Sequence, residues 1–169
     1  YKNTPYWSNT LFVFVPDHAM QYPVDLDIFS VERYKIPMIF YVPVLAQTGV
    51  KVDVVGSQID LAATLLAQLG LPHQEFAFSK DMLNPANPHF AFFTVPDAFG
   101  VVADSGSVVF DNVSEKIYTN SHPDNALLEH GKAFLQKIYD DLDKRGTKKF
   151  GDMQINLYLC TSFVEIQHK

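Results

Sequence analysis

Residues Asn9–Met20 read NTLFVFVPDHAM, with five consecutive apolar residues, Leu11 to Val15, at their centre. An apolar run of that length without alternation predicts a strand covered on both faces, the pattern of a parallel strand inside an α/β sheet. Pro16 ends it, because Pro cannot donate to a ladder and sits at strand ends or edges. Asp17 and His18 therefore fall just beyond the carboxyl end of the strand, where open α/β sheets bind ligands. A carboxylate oxygen beside an imidazole nitrogen suits Zn²⁺, Mn²⁺ or a similar divalent ion. The dipeptide by itself also fits a plain turn, since a metal site needs three or four convergent donors.

Outward from this stretch, Gln21 to Lys35 has no clean period and reads as a loop. Its Arg33 and Lys35 are candidates to face an anion, against surface charge as the ordinary reading. Ile36 to Val42 predicts a second buried strand bracketed by Pro37 and Pro43. Ser57 is a good N-cap with Asp60 three residues on, followed by an apolar helical face through Ile59, Ala62, Ala63, Leu65, Leu66 and Leu69. Gly70 and Pro72 close that helix. In its first turn, Asp60 reads as a capping residue rather than a catalytic one.

After the turn cluster Asn84–Pro88 the style changes to short β-rich pieces, Phe90–Phe93, Phe99–Ala103, Val108–Phe110 and Lys116–Thr119. Turn residues such as Ser105-Gly106 and Asp111-Asn112 separate them, which predicts an antiparallel meander. Asn125 to Arg145 then predicts an amphipathic helix on Leu127, Leu128, Phe134, Leu135, Ile138, Tyr139 and Leu142. Gly131 should weaken it by about 1 kcal/mol relative to Ala. Ile155, Leu157, Leu159 and Phe163 give the tail a partial alternation, an added edge strand or a segment unrelated to the fold.

Four blocks carry a resemblance: NTLFVFVPDHAM, YKIPMIFYVP (Tyr34–Pro43), GSQIDLAATLLAQLGLP (Gly56–Pro72) and FSKDML (Phe78–Leu83). In this order and at these separations the chain resembles the alkaline phosphatase superfamily, in its sulfatase and lipoteichoic-acid-synthase-like phosphoglycerol transferase branch. Pro16 stands where members of that branch usually carry Gly or Ala, and Ala63 where they commonly carry Pro.

The resemblance implies an α/β fold, the carboxyl-terminal portion of an alkaline-phosphatase-like three-layer sandwich. Parallel core strands would be followed by a small antiparallel β meander and a long amphipathic helix. Residues 1–83 would be the part of the catalytic core carrying the Asp-His metal pair, 84–145 the antiparallel strands plus helix, and 146–169 an unassigned tail. It assigns Asp17 and His18 as ligands of a divalent metal ion, Mn²⁺, Zn²⁺, Ca²⁺ or Mg²⁺, in a partial site. The nucleophile is expected upstream, so no catalytic residue is assigned here and the chain alone should be inactive on sulfate or phosphate esters. The implied partners are an anionic ester substrate and the upstream part of the same catalytic domain. The implied setting is extracytoplasmic, a periplasm or bacterial cell envelope with a membrane-anchored parent. The other reading is a non-enzymatic interaction domain or a degenerate relative.

Composition bounds these readings. With 169 residues and a net charge of -6, the chain is long enough for one core and poorly suited to nucleic acid, which needs clustered Lys and Arg. The single Cys160 excludes an intrachain disulfide. No apolar run reaches the roughly 18 residues of a membrane span, and no amino-terminal signal is present. His73, His89, His122, His130 and His168 show no carboxylate at a metal-ligand spacing and are read as having no site role. An incomplete sheet would leave edges open, so self-association is expected through Leu11–Val15 or Ile36–Val42.

Overall fold

The computed structural model describes residues 2–19, 25–43, 49–145 and 163–168. Its architecture is mixed α/β, with two four-stranded sheets and two α-helices among the described residues. The first sheet contains β1 (Phe12–Phe14), β2 (Lys35–Tyr41), β3 (Lys51–Val52) and a strand near the chain end, β8 (Phe163–His168), in the order β1-β2-β8-β3. The second is a meander of β4 (Phe90–Val95), β5 (Ala98–Ala103), β6 (Gly106–Asp111) and β7 (Ile117–Asn120), antiparallel throughout. Helix α1 (Leu61–Gln68) follows a 3-10 turn at Gln58–Asp60, and α2 covers Ala126–Lys144.

The expected parallel core strands are corrected. β1 and β2 pair antiparallel, Phe12 with Tyr41 and Phe14 with Ile39, while the parallel neighbour of β2 is β8. Parallel neighbours need a crossover of about a dozen residues or more, usually an α-helix. Between β1 and β2 the only helix among the described residues is a 3-10 turn at Val31–Tyr34, and the chain returns antiparallel. Nor is β1 covered on both faces: Phe14 is 56% exposed. Val13 and Val15 face the core with Ile36, Met38, Phe40 and Met82, whereas Phe12 packs among Trp7 and Tyr41 on the opposite side. β2 spans Lys35–Tyr41 where Ile36 to Val42 is expected, running through Pro37, and its ladder with β1 stops at Ile39. Self-association through Ile36–Val42 is corrected, because β2 lies inside its sheet between β1 and β8. The tail supplies an interior strand rather than an added edge, and Ile155–Leu159 lie outside the described residues.

The meander forms where turn residues punctuate the sequence, and it is buried on both faces. One face packs Phe92, Phe99, Val101 and Val108 against Leu127, Leu128 and Ile138 of α2. The other packs Ala91, Phe93, Val102 and Val109 against Phe29, Val31 and Tyr34, with the Tyr34 ring stacked 4.2 Å from Phe93. Burying each such side chain contributes about 1.5–3 kcal/mol. Tyr139, expected on the apolar face of α2, is 55% exposed.

Asp60 ties the pieces together. It is fully buried, and the Ser57–Asp60 capping box forms as predicted, with the Ser57 N–H donating to Asp60 Oδ2 at 2.8 Å. Two further donors come from the FSKDML segment: Lys80 N–H to Oδ1 at 3.1 Å and Lys80 Nζ to Oδ2 at 2.5 Å. Lys80 Nζ also donates to the Phe90 carbonyl at 2.9 Å, and Ser57 Oγ accepts the Phe92 N–H at 2.9 Å. The start of α1, the segment after it and β4 are thus joined through one carboxylate.

Breaking a buried ion pair from one side costs about 3–5 kcal/mol. Asp60→Ala should lose that much in urea denaturation, because it also orphans two backbone N–H groups. Lys80→Met should lose less, since those N–H groups still hold the carboxylate; equal losses would contradict this division. Gly131 also has a structural role, as a Cβ there would stand 2.3 Å from Phe99 Cε2 and 2.6 Å from Val101 Cγ2. Gly131→Ala should therefore destabilise by roughly 1–3 kcal/mol, opposite in sign to the gain that helix propensity alone predicts.

Candidate metal-ligand pair

Asp17 and His18 stand at the end of β1 with side chains 85% and 70% exposed. Asp17 Oδ1 accepts the His18 N–H at 3.0 Å, a local bond that turns the carboxylate back toward the imidazole. His18 Nδ1 lies 3.0 Å from the Ala19 carbonyl. A carbonyl only accepts, so Nδ1 is the donor in that bond, and in the neutral ring the lone pair then sits on Nε2, the arrangement in which metal-binding imidazoles are usually held. Nε2 and Asp17 Oδ1 are 3.6 Å apart. Two donors each about 2.0–2.2 Å from a tetrahedral Zn²⁺ are separated by roughly 3.3–3.6 Å, so the pair has the span of two ligands on one ion.

The backbone beneath the pair is fixed from the 3-10 turn that precedes α1. Gln58 Nε2 donates to the Pro16 carbonyl at 2.6 Å and lies 3.4 Å from the Asp17 carbonyl. Nothing in its spacing marks Gln58 as a site residue, because its partners are about forty residues away in the chain. Its place is set by the capping box, which orients the first turn toward the end of β1. Antiparallel pairing also brings the amino end of β2, with Arg33 and Lys35, to the same end of the sheet as Asp17 and His18. Arg33 is committed elsewhere, donating from Nη1 to the Leu26 carbonyl at 2.5 Å.

Among the described residues no group of three or more His, Cys, Asp and Glu side chains converges on one point, and Asp17 and His18 have no third such donor from those residues beside them. His122, expected to lack a carboxylate partner, has one, with Nδ1 3.1 Å from Asp124 Oδ1. His73 and His89 rest on backbone carbonyls in turns. A groove of about 900 Å³ lies between the Asp27–Lys35 region and β5–β7. Its charged lining is Asp27, Glu32 and Asp104 against Lys35, a balance that disfavours an anion.

His130 of α2 packs 4.6 Å from the Phe90 ring, over which Lys80 Nζ sits at 4.1 Å. Burial, and secondarily the nearby Lys80 charge, hold its pKa below the ordinary 6.5. Burial likewise lowers Lys80, opposed by Asp60. Among the described residues no helix is long and apolar enough to cross a membrane. Comparison with protein-family models, curated proteins and solved structures gives no match.

The His130 shift has a defined sign. A histidine whose folded pKa lies below its unfolded value contributes stability that is present above the unfolded pKa and lost as pH falls through the folded one. Denaturation midpoints should therefore drop on acidification below about 6.5, and His130→Gln should remove part of that drop. A variant whose acid limb superimposes on that of the parent would contradict the assignment.

Proposed function

We propose that this chain is the carboxyl-terminal, metal-ligand-bearing part of a metal-dependent sulfatase or phosphoglycerol transferase acting on sulfate or phosphate esters. The resemblance of its four sequence blocks to that branch of the alkaline phosphatase superfamily supports the reading. The observation that carries it is the 3.6 Å separation of Asp17 Oδ1 and His18 Nε2, with Nδ1 held by the Ala19 carbonyl. The finer fold, a three-layer sandwich completed by upstream strands, belongs to the same proposal, as does an extracytoplasmic setting.

In this reading Asp17 and His18 hold one face of a divalent ion, and further chain supplies the remaining donors and the nucleophile. Such an ion, when bound, polarises the ester oxygen and offsets charge that develops during transfer. The residues present do the positioning. Asp17 contributes a hard anionic oxygen, His18 a neutral nitrogen, and Gln58 keeps both on a backbone that cannot swing away.

Calorimetric titration with Mn²⁺ and Zn²⁺ tests the ligand pair. The chain should bind weakly, Asp17→Ala and His18→Ala should abolish the signal, and Gln58→Ala should reduce affinity about tenfold through loss of backbone support. Absence of binding, or binding unchanged in both ligand variants, would favour a non-enzymatic interaction domain. The chain alone should not hydrolyse aryl sulfates or phosphodiesters, and turnover by it would contradict the assignment of the nucleophile to another segment.

A further inference from the structure

The backbone that carries Asp17 and His18 runs past the last rung of its ladder. Pairing between β1 and β2 ends at Phe14 with Ile39, and Pro16 has no N–H with which to extend it. The handle left on that backbone is carbonyl oxygen. Gln58 Nε2 takes it, at 2.6 Å from the Pro16 carbonyl and 3.4 Å from that of Asp17. The ligand pair is therefore held as firmly as Gln58 is held.

Gln58 stands inside the turn that runs from the N-cap Ser57 to Asp60, and both flanks of that turn are fastened to β4. On one flank Ser57 Oγ accepts the Phe92 N–H at 2.9 Å. On the other, Lys80 Nζ bridges Asp60 Oδ2 at 2.5 Å and the Phe90 carbonyl at 2.9 Å. The Lys80 side chain is 16% exposed. Its ammonium has three N–H donors to place, and it finds these two oxygens and the Phe90 ring, whose centre lies 4.1 Å away. A cation so surrounded fixes what it touches.

We infer, on the reading of Asp17 and His18 as metal ligands, that Lys80 is a positioning residue for the pair: it clamps the turn from which Gln58 reaches their backbone, and touches neither ligand. The path consists of bonds between named atoms. It runs from the Phe90 carbonyl to Lys80 Nζ, on to Asp60 Oδ2 and the Ser57 N–H, along the backbone to Gln58, and through its amide to Pro16. Removing Nζ leaves Oδ2 with the Ser57 N–H and the buried carboxylate without its cation, so the turn loses its second fastening to β4. Oδ1 keeps the Lys80 backbone N–H, which preserves the fold while the turn loosens.

The test is a mutant cycle of Lys80→Met and Gln58→Ala, read in two ways. Without metal, ¹⁵N relaxation should show lower order parameters at the Asp17 and His18 amides in Lys80→Met than in the parent. In the Gln58→Ala background, where the connection is already cut, Lys80→Met should change them no further. With Zn²⁺, calorimetry should show affinity about three- to tenfold weaker in Lys80→Met, the range expected of coupling through such a network, and no added loss in Gln58→Ala. Lys80→Gln, uncharged but still an N–H donor, should give the same pattern at smaller amplitude. Absence of Zn²⁺ binding by the parent would overturn the ligand reading, while the order parameters still decide the clamp. Unchanged order at Asp17 and His18 in a Lys80→Met or Lys80→Gln protein that is folded by circular dichroism would overturn the inference. So would an equal loss of order with and without Gln58, which marks a general loosening rather than a path through that amide.

Discussion

One carboxylate organises this molecule. Asp60 has no exposure to water, and charge withdrawn from water is costly unless its lone pairs are filled. Three donors fill them: the Ser57 N–H, the Lys80 N–H and the Lys80 ammonium. Each donor belongs to a different task. Ser57 begins the first helix turn, the Lys80 backbone fixes the segment after α1, and the Lys80 ammonium reaches the edge of the meander at Phe90. Thr64 extends the same joint, donating to the Asp60 carbonyl at 2.7 Å and accepting the Met82 N–H at 3.0 Å.

The candidate site depends on that joint. Gln58 lies between Ser57 and Asp60, inside the turn that the carboxylate holds, and its amide reaches the carbonyls of Pro16 and Asp17. A rigid helix start thereby supports an exposed Asp-His pair at the end of a short strand. The pair itself is wet, unlike its support. That contrast suits a ligand set, whose donors must reach an ion while the backbone beneath them stays fixed.

Much of the fold was legible because it rests on local signals. The meander follows from Ser105-Gly106 and Asp111-Asn112 between β-rich runs, and α1 from Ser57, Asp60 and Gly70. The direction of β1 was not legible, because an apolar run carries no sign of whether its neighbour runs parallel or antiparallel. Its exposure was misread for the same reason: Leu11–Val15 is uniformly apolar, yet only Val13 and Val15 face the core. Lys80 was hidden by its type, since lysines are seldom buried unless paired, and its partner lies twenty residues back. Of the candidate site, Asp17 and His18 were legible as adjacent residues after a strand. Gln58 was not, since only the folded chain brings it there.

A ligand role for His18 requires that its Nε2 be open to an ion. Long-range ¹H–¹⁵N correlation spectra of histidine-labelled protein, assigned by loss of one signal set in His18→Gln, report this directly at neutral pH. A proton on Nδ1, a bare Nε2 and a shift of Nε2 on adding Zn²⁺ are the predicted result. A proton on Nε2, or ring signals indifferent to Zn²⁺, would contradict it.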